Sequence, residues 1–199
     1  MKIASIVGEK GGVGKSTNAH ATAHGLSMLG IPAAYVMTDK RELLSDENRV
    51  YTIIDGRTVP QLEQAVATAQ QNVGKGVLVI DGGGNRAAVD DLLGSISDAI
   101  ILPFTADDDS VYVVAQEMAK FPGAWGLPSN WPTNSKAMLV DAGYIEKLEA
   151  LYPARLLAPT PATHSIRDIM LQTFNGSLLP PAQRYCRALA RQISDVLKL

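Results

Sequence analysis

The fold of this chain is indicated by one glycine-rich stretch, Gly8-Glu9-Lys10-Gly11-Gly12-Val13-Gly14-Lys15-Ser16-Thr17. The stretch follows a strand-like apolar run at Lys2–Val7 and opens an alanine-rich helical segment at Ser16–Leu29. Glycines let successive backbone N–H groups turn towards one point, and the N-terminus of the helix adds its positive dipole. The strand, the glycines and the helix together predict a loop that binds phosphate groups.

The polar side chains at the end of this stretch are those that a nucleoside triphosphate requires. Lys15 can place its ammonium between the β- and γ-phosphates, Ser16 can bind Mg²⁺ through its hydroxyl, and Thr17 can reach the α-phosphate. The usual motif has a glycine five positions before Gly14, and Glu9 stands there instead. The alternative is an ordinary glycine-rich turn with a solvated lysine, and the coincidence of so many features argues against it.

Two aspartates stand where predicted strands end. Asp81 follows the β-branched run Gly76–Ile80, and Asp39 follows the predicted strand Ala33–Thr38. The carboxyl ends of parallel strands lie beside the phosphate loop in sheets of this type, so either carboxylate can reach the bound phosphates. Asp81 can hold the hydration shell of Mg²⁺. The alternative for each residue is a structural role at the start of a turn.

The run from Lys10 to Thr17 resembles the deviant Walker A motif of the ParA/MinD family of P-loop ATPases, which includes plasmid and chromosome partition ATPases. The resemblance implies an ATP-dependent homodimer in which Lys10 of each protomer touches the partner's phosphates. A second cation beside the γ-phosphate would stabilise the transition state, as an arginine finger does. The alternative for Lys10 is a solvent-exposed loop residue. With Lys10 included, the nucleotide-binding residues predicted in the loop are Glu9, Lys10, Gly11, Gly12, Val13, Gly14, Lys15, Ser16 and Thr17.

The resemblance extends to both aspartates. Asp81 resembles the family's Walker B aspartate, and the Gly82–Gly84 turn resembles its switch II, where Gly84 is predicted to sense the γ-phosphate through its N–H. Asp39 resembles the second aspartate of the family's Asp-x-Asp-Pro-Gln segment, which implies that it is catalytic and positions the attacking water. This chain has Met37 in place of the first aspartate, and Lys40-Arg41 in place of Pro-Gln. The sequence therefore leaves open whether the chain hydrolyses ATP normally or has lost this activity.

The adenine contacts are the least certain part of the resemblance. The family often has Asn-Arg after its next-to-last strand, and the sequence places Asp141-Ala142-Gly143 there. By position in the family, Pro159, Thr160 and Pro161 are then predicted to contact adenine. An ordinary proline-rich turn is an equal alternative.

The remaining apolar runs alternate with helical stretches, which predicts a single α/β domain over residues 1–199 with a doubly wound, mostly parallel sheet flanked by helices. The other strands are predicted at 51–54, 98–103, 137–140 and 155–158. The other helices are predicted at 60–71, 110–121, 165–172 and 182–198. Residues 123–135, with their prolines and tryptophans, are expected to form an irregular loop. His20 and His24 are expected to be structural.

The amino-acid composition excludes further classes of protein. The 199 residues carry 18 Lys and Arg against 20 Asp and Glu, so bulk positive charge does not hold this chain on DNA. The single cysteine, Cys186, excludes a disulfide framework or a cysteine-rich metal site within the chain and is typical of a reducing cytosol. We expect a cytoplasmic protein without a signal peptide and without membrane contact.

One surface could still bind DNA locally. On the predicted last helix, four cations fall on one side at helical spacing: Arg184, Arg187, Arg191 and Lys198. They could contact phosphates of non-specific DNA and associate the protein with the nucleoid. Asp195 lies on the same side, and an ordinary solvated helix face is the alternative.

These observations predict a Mg²⁺-dependent ATPase that hydrolyses ATP to ADP and phosphate. The resemblance implies a dimerisation switch with a small partner or adaptor protein, acting in plasmid or chromosome partition or in cargo positioning. The alternative is an ATP-dependent metabolic ligase of the dethiobiotin synthetase type, which shares the fold and needs a pocket for a small acid.

Overall fold

The computed structural model describes residues 1–72, 76–83 and 87–199. The strands are β1 (Lys2–Ile6), β2 (Ala33–Met37), β3 (Thr52–Asp55), β4 (Val77–Asp81), β5 (Ala99–Phe104) and β6 (Trp125–Pro128). The helices are α1 (Lys15–Met28), α2 (Val59–Asn72), α3 (Ala87–Ile96), α4 (Asp108–Lys120), α5 (Ser135–Leu151) and α6 (Pro180–Leu197), with a 3₁₀ helix at His164–Met170.

The six strands form one sheet in the order β3-β2-β4-β1-β5-β6, and every neighbouring pair is parallel. The predicted doubly wound parallel sheet is therefore confirmed. The chain moves to one side of β1 to form β2 and β3, and to the other side to form β5 and β6. Ligands bind at the carboxyl ends of strands where the order reverses in this way, so the topology places the expected site after β1 and β4.

Two apolar cores cover the two faces of the sheet. Helix α1, helix α6 and the 3₁₀ helix pack on one face, and helices α2 to α5 pack on the other. Helix α1 is buried from Asn18 to Leu26 because it lies between the sheet and α6. Gly25 makes this close approach possible, since a Cβ there would lie 2.0 Å from the carbonyl oxygen of Cys186.

The segment from residue 123 to 140 differs from its prediction. The expected irregular loop contains strand β6, and the expected strand at 137–140 is the first part of helix α5. Strand β6 pairs with β5 at the edge of the sheet, where the missing N–H of Pro128 is tolerated. Helix α5 begins because the Asn134 side chain accepts a hydrogen bond from Ala137 N at 2.8 Å. This local cap outweighs the strand preference of an apolar run that is not buried here.

Two smaller differences from the predicted elements lie further along the chain. The expected strand at 155–158 contributes only an isolated bridge between Leu156 and Gly126. The expected helix at 165–172 is the 3₁₀ helix His164–Met170. Helix α3 was not predicted from the sequence.

A cluster of buried aromatic side chains lies between α1 and the sheet. The His20 ring stacks on Tyr35 with 3.7 Å between ring centroids, and its Nδ1 lies 2.8 Å from the Tyr51 hydroxyl. Burial, assisted by the charge of Arg49, lowers the pKa of His20 to about 3. His24, one turn later, is also buried, and its pKa is lowered for the same reasons. Both histidines are therefore neutral in the folded protein near neutral pH.

This burial predicts a loss of stability in acid. Because the pKa of His20 is about 3 when folded and about 6.5 when unfolded, only the unfolded chain takes up the proton between these values. The stabilisation is complete above the unfolded pKa and falls as the pH drops, by about 2 kcal/mol for His20 between pH 7 and pH 5. Denaturant unfolding at the two pH values measures it.

The variant His20→Gln should show a smaller fall in stability between these pH values than the wild type. The exposed His164 provides the control, because His164→Gln should keep the wild-type difference. Equal pH dependence in His20→Gln and the wild type would contradict the assignment.

Candidate functional site

The loop between β1 and α1 has the backbone geometry that an anion requires. Gly12 and Gly14 have φ values of 79° and 91°, which only glycine adopts readily. Gly14 is the N-cap of α1, so the first N–H groups of the helix are available to a ligand. A Cβ placed on Gly11 or Gly12 would meet nothing within 4 Å, so the loop opens onto free space.

This loop forms one wall of a cavity of about 560 Å³. The residues around it are Glu9, Gly11, Gly12, Gly14, Lys15, Ser16, Thr17, Asp39, Arg41, Asp81, Gly82, Gly83 and Met170. The structure thus brings the predicted loop residues together with both predicted aspartates. Val13, also predicted, does not line the cavity, and its side chain is buried. Gly84, the predicted γ-phosphate sensor, lies outside the described residues.

Lys15 is enclosed by the loop. Its Nζ donates a hydrogen bond to the carbonyl oxygen of Lys10 at 2.7 Å. Burial lowers the pKa of Lys15, while the nearby carboxylates of Asp81, Glu117 and Asp39 oppose this shift. The loop therefore holds a partly desolvated cation at its centre, which is suited to a phosphate anion.

Asp81 is a carboxylate at the centre of the sheet with 1 % of its surface exposed. The Tyr35 hydroxyl donates a hydrogen bond to its Oδ2 at 2.7 Å. Burial raises the pKa of Asp81, and hydrogen bonds from Ser16 and Tyr35 oppose the rise, with smaller contributions from Arg41 and Lys15. Tyr35 was not predicted as part of the site, because its position within β2 gave no sign of this contact.

Thr38 connects the segments that follow β2 and β4. Its hydroxyl donates to the carbonyl oxygen of Asp81 at 2.7 Å and accepts from Gly83 N at 2.8 Å. Gly83 in turn lies so close that a Cβ there would be 3.2 Å from Asp39 Cα. The segment after β2, which resembles the family's Asp-x-Asp-Pro-Gln segment, is therefore in direct contact with the turn after β4 that resembles switch II.

Asp39 lies at the site, but both of its oxygens are engaged within its own turn. Oδ1 accepts from Lys40 N at 2.7 Å, and Oδ2 accepts from Arg41 Nε at 2.8 Å. The guanidinium of Arg41 also donates to Ser16 Oγ at 2.5 Å. Arg41, which the sequence identified only as a departure from the family pattern, is therefore at the centre of the site.

Lys10 does not line this cavity. Its Nζ lies 3.7 Å from Asp107 Oδ1 and 3.7 Å from Asp109 Oδ2, at the N-terminus of α4. The side chain is 34 % exposed. Lys10 thus stands at the rim of the loop, paired with acidic residues of its own chain.

A second cavity of about 440 Å³ adjoins the loop on the other side. It is lined by Gly12, Gly14, Thr17, Asn18, Ser129, Asn130, Pro161, Ala162, Thr163, His164, Ile166, Arg167 and Tyr185. Its position next to Gly12 and Thr17 is where a nucleoside would lie if its phosphates occupied the loop. The polar groups are oriented, since Tyr185 donates to Asn18 Oδ1 at 2.6 Å and Asn18 donates to Ser129 Oγ at 2.6 Å.

The adenine prediction is only partly matched by this cavity. Pro161 lines it, whereas Pro159 is exposed outside it and Thr160 is buried and hydrogen-bonded to the carbonyl oxygen of Pro128. The residues after strand β6 are Ser129 and Asn130, not Asp141-Ala142-Gly143, which lies within α5. Strand β6 was not recognised from the sequence, so a strand was expected at 137–140, directly before Asp141.

The largest cavity described, of about 700 Å³, lies elsewhere. It is mostly apolar and is lined by residues such as Pro32, Thr52 and Val77, where β2, β3 and β4 begin. The amino ends of these strands lie opposite their carboxyl ends, where the glycine loop is found. It lacks the anion-binding backbone of the loop, so we do not assign the nucleotide to it.

The cavity at the loop fits a Mg²⁺-bound nucleotide. The described residues contain no group of three or more His, Cys, Asp or Glu side chains that would hold a metal without other ligands. Ser16 Oγ and the Asp81 carboxylate supply oxygen, which Mg²⁺ prefers, and phosphate oxygens and water are its usual further ligands.

None of the helices in the described part combines the length and apolar character that a bilayer crossing requires.

Neither a family model nor a curated protein matches this chain. Solved structures do match it along almost their whole length. The MinD cell division protein of Aquifex aeolicus has a TM-score of 0.75 at 13% identity, with 98% of this chain and 97% of that chain covered. A putative plasmid partition protein of Borrelia burgdorferi, bound to AMPPNP, has a TM-score of 0.67 at 14% identity, with 98% of each chain covered.

A metabolic enzyme is similar as well. Cobyrinic acid a,c-diamide synthase of Mycobacterium smegmatis, with bound ADP and magnesium, has a TM-score of 0.63 at 14% identity, with 98% of this chain and 94% of that chain covered. At these identities the likeness shows the fold. The chain has the P-loop fold of the MinD and ParA-like ATPases, which confirms the resemblance predicted from the sequence at that level.

The loop geometry predicts unequal effects of alanine at two glycines. Gly14→Ala should lower the free energy of unfolding by about 1–2 kcal/mol, because an L-residue is strained at positive φ. Its Cβ would also lie 3.3 Å from Asn18 Nδ2. Gly11 is not among the positive-φ glycines and has open space around it, so Gly11→Ala is the matched control and should change stability by under about 0.5 kcal/mol. Denaturant unfolding compares them, and equal losses would contradict the prediction.

Proposed function

We propose that this chain is a Mg²⁺-dependent ATPase of the ParA/MinD kind that acts as an ATP-controlled dimerisation switch. The observation that carries the proposal is the arrangement of Lys15, Ser16 and Asp81 around an open glycine loop, with a second cavity of nucleoside size beside it. The similar partition protein was solved with AMPPNP, which supports a nucleotide at this place.

The residues of the loop have distinct roles in this proposal. The N–H groups at the start of α1 and the ammonium of Lys15 bind the phosphates. Thr17 binds the α-phosphate, at the junction with the nucleoside cavity. The base lies among the polar side chains of that cavity, where Asn130 and Arg167 offer hydrogen-bond donors.

Mg²⁺, held by Ser16 Oγ and through water by Asp81, would supply charge neutralisation on the phosphates. The Tyr35 hydroxyl keeps the Asp81 carboxylate oriented, as residues behind metal ligands commonly do. Asp39 orients the attacking water by hydrogen bonding. Its two oxygens accept hydrogen bonds from Lys40 N and Arg41 Nε, and in this proposal the side chain exchanges one of these contacts for the water.

The dimerisation step depends on Lys10. The ion pairs of Lys10 with Asp107 and Asp109 are long and partly exposed, and such pairs contribute about 0–1 kcal/mol. The polyphosphate of a bound nucleotide on a second copy is a more highly charged partner, so Lys10 can exchange these contacts for it. The proposed exchange therefore costs little free energy in lost ion pairs.

The dimer would present surfaces to other macromolecules. Arg184, Arg187 and Arg191 are exposed on the side of α6 that faces away from the core, and Lys198, which follows the helix, is exposed as well. We propose that they contact the phosphates of non-specific DNA, and that a small partner protein stimulates hydrolysis. Such a switch would serve partition or the positioning of another cargo.

The similar cobyrinic acid a,c-diamide synthase favours a second candidate, an ATP-dependent ligase. The discriminating measurement is what stimulates ATP turnover. Stimulation by DNA with a partner protein supports the switch, and turnover that needs a small carboxylic acid supports the ligase. Wild-type protein that binds ATP without turnover would mean that the altered segment after β2 has lost hydrolysis.

The assigned roles predict a clear division between two variants. Lys15→Ala should weaken ATP binding by about 100-fold, because the central cation of the loop is lost. Asp39→Ala should bind ATP as the wild type does and lose turnover by about 100-fold, because water is no longer positioned. Isothermal calorimetry and phosphate release measure the two properties. Unchanged turnover in Asp39→Ala would overturn the role of Asp39.

The role of Lys10 predicts a change in assembly. Wild-type protein should dimerise with ATP and stay monomeric with ADP or without nucleotide, and Lys10→Ala should bind ATP and remain monomeric. Light scattering after size exclusion measures the mass in each state. Lys147→Ala is the matched control, because Lys147 also pairs with an acidic residue of α4, Asp108, at 3.5 Å. A Lys10→Ala dimer with ATP would contradict the proposal.

A further inference from the structure

The Arg41 guanidinium occupies a position between three oxygen-bearing side chains of the site. One of its nitrogens lies 2.5 Å from Ser16 Oγ and 4.0 Å from Asp81 Oδ2. Its Nε lies 2.8 Å from Asp39 Oδ2. Ser16 and Asp81 are the two side chains that would hold Mg²⁺. A protein cation therefore stands where a metal cation would be bound.

We propose that Arg41 competes with Mg²⁺ for this place and so sets how strongly nucleotide binding depends on the metal. The inference rests on the proposed function, since it concerns the metal of the same nucleotide site. A guanidinium stays protonated and only donates hydrogen bonds, so it binds the same oxygens that a metal binds. One guanidinium nitrogen lies close to Ser16 Oγ and within 4.0 Å of Asp81 Oδ2. A Mg²⁺ ion bound by the same two side chains would be repelled by this positive charge, so binding of the metal favours departure of Arg41.

The exchange also changes Asp39. Arg41 Nε accounts for the hydrogen bond to Asp39 Oδ2, and Lys40 N accounts for the one to Oδ1. When Arg41 leaves Ser16, its hydrogen bond to Asp39 Oδ2 can break as well. One carboxylate oxygen of Asp39 can then turn towards the cavity. Occupation of the metal position and release of the water-positioning carboxylate are thereby coupled through one side chain.

The strength of the competition follows from exposure. The side chain of Arg41 is 55% exposed and that of Asp39 is 39% exposed, so water screens their ion pair. The contact between Arg41 and the buried Asp81 is long. Arg41 therefore weakens the binding of Mg²⁺ with nucleotide without preventing it, and we expect an effect of about fivefold, as for one partly exposed charge-assisted contact.

The test compares Arg41→Gln with Lys40→Gln. Both substitutions remove one positive charge from adjacent exposed positions, but only Arg41 contacts Ser16. The measured quantity is the affinity for AMPPNP by calorimetry, once with Mg²⁺ and once with EDTA, for the two variants and the wild type. The ratio of the two affinities reports the benefit of the metal and does not depend on turnover.

We expect the ratio to rise about fivefold in Arg41→Gln and to stay within about twofold of the wild type in Lys40→Gln. An unchanged or lower ratio in Arg41→Gln, with AMPPNP bound by all three proteins, overturns the role of Arg41 and leaves the nucleotide site standing. The absence of AMPPNP binding in all three proteins overturns the proposed function and this inference with it.

Discussion

The arrangement of the site depends on a carboxylate buried at the centre of a parallel sheet. A buried charge is strongly unfavourable unless hydrogen bonds and opposite charges surround it. Asp81 is 1% exposed, and the contacts that oppose the rise of its pKa are those from Ser16, Tyr35, Arg41 and Lys15. These groups come from α1, β2 and the segment after β2. The contacts that stabilise this one carboxylate therefore bring the glycine loop and the segment after β2 together.

The part of this site that could be predicted is the part encoded locally. The loop is written in consecutive residues, because the glycines, Lys15 and Ser16 must follow one another between a strand and a helix. Asp39 and Asp81 could be placed because Asp81 ends strand β4 and Asp39 lies two residues after β2, and parallel strands align their carboxyl ends. The contact of Tyr35 with Asp81 joins neighbouring strands, and nothing in either strand's own sequence encodes it.

The errors come from positions where burial and local pattern disagree. Met138, Leu139 and Val140 resemble a buried strand but are 47%, 81% and 70% exposed on helix α5. Trp125–Pro128 contains a glycine and a proline and resembles a loop, but it is an edge strand, where a missing N–H is tolerated. Both misassignments lie in the part of the chain after β5. They placed Asp141-Ala142-Gly143 directly after a strand, whereas these residues lie within helix α5, and the residues that follow β6 are Ser129 and Asn130.

The hydrogen bonds of Thr38 fix the first residue of the segment that follows β2. Its hydroxyl is fixed between the carbonyl oxygen of Asp81 and Gly83 N, and its own N donates to the same carbonyl oxygen at 3.3 Å. These contacts continue the pairing of β2 with β4 by one residue, so the chain is anchored up to Thr38. Beyond it, Arg41 is exposed, and its side chain contacts Asp39 and Ser16.

Asp39 lies at this boundary. Its backbone packs against Gly83, and its carboxylate belongs to the turn that Arg41 closes. In the proposed exchange, a change in the cation bound by Ser16 and Asp81 would reach Asp39 by rotation of side chains, without movement of the strands. The chain departs from the family pattern at Lys40 and Arg41, next to this boundary, where a substitution can alter the response to the metal without disturbing the sheet that positions it.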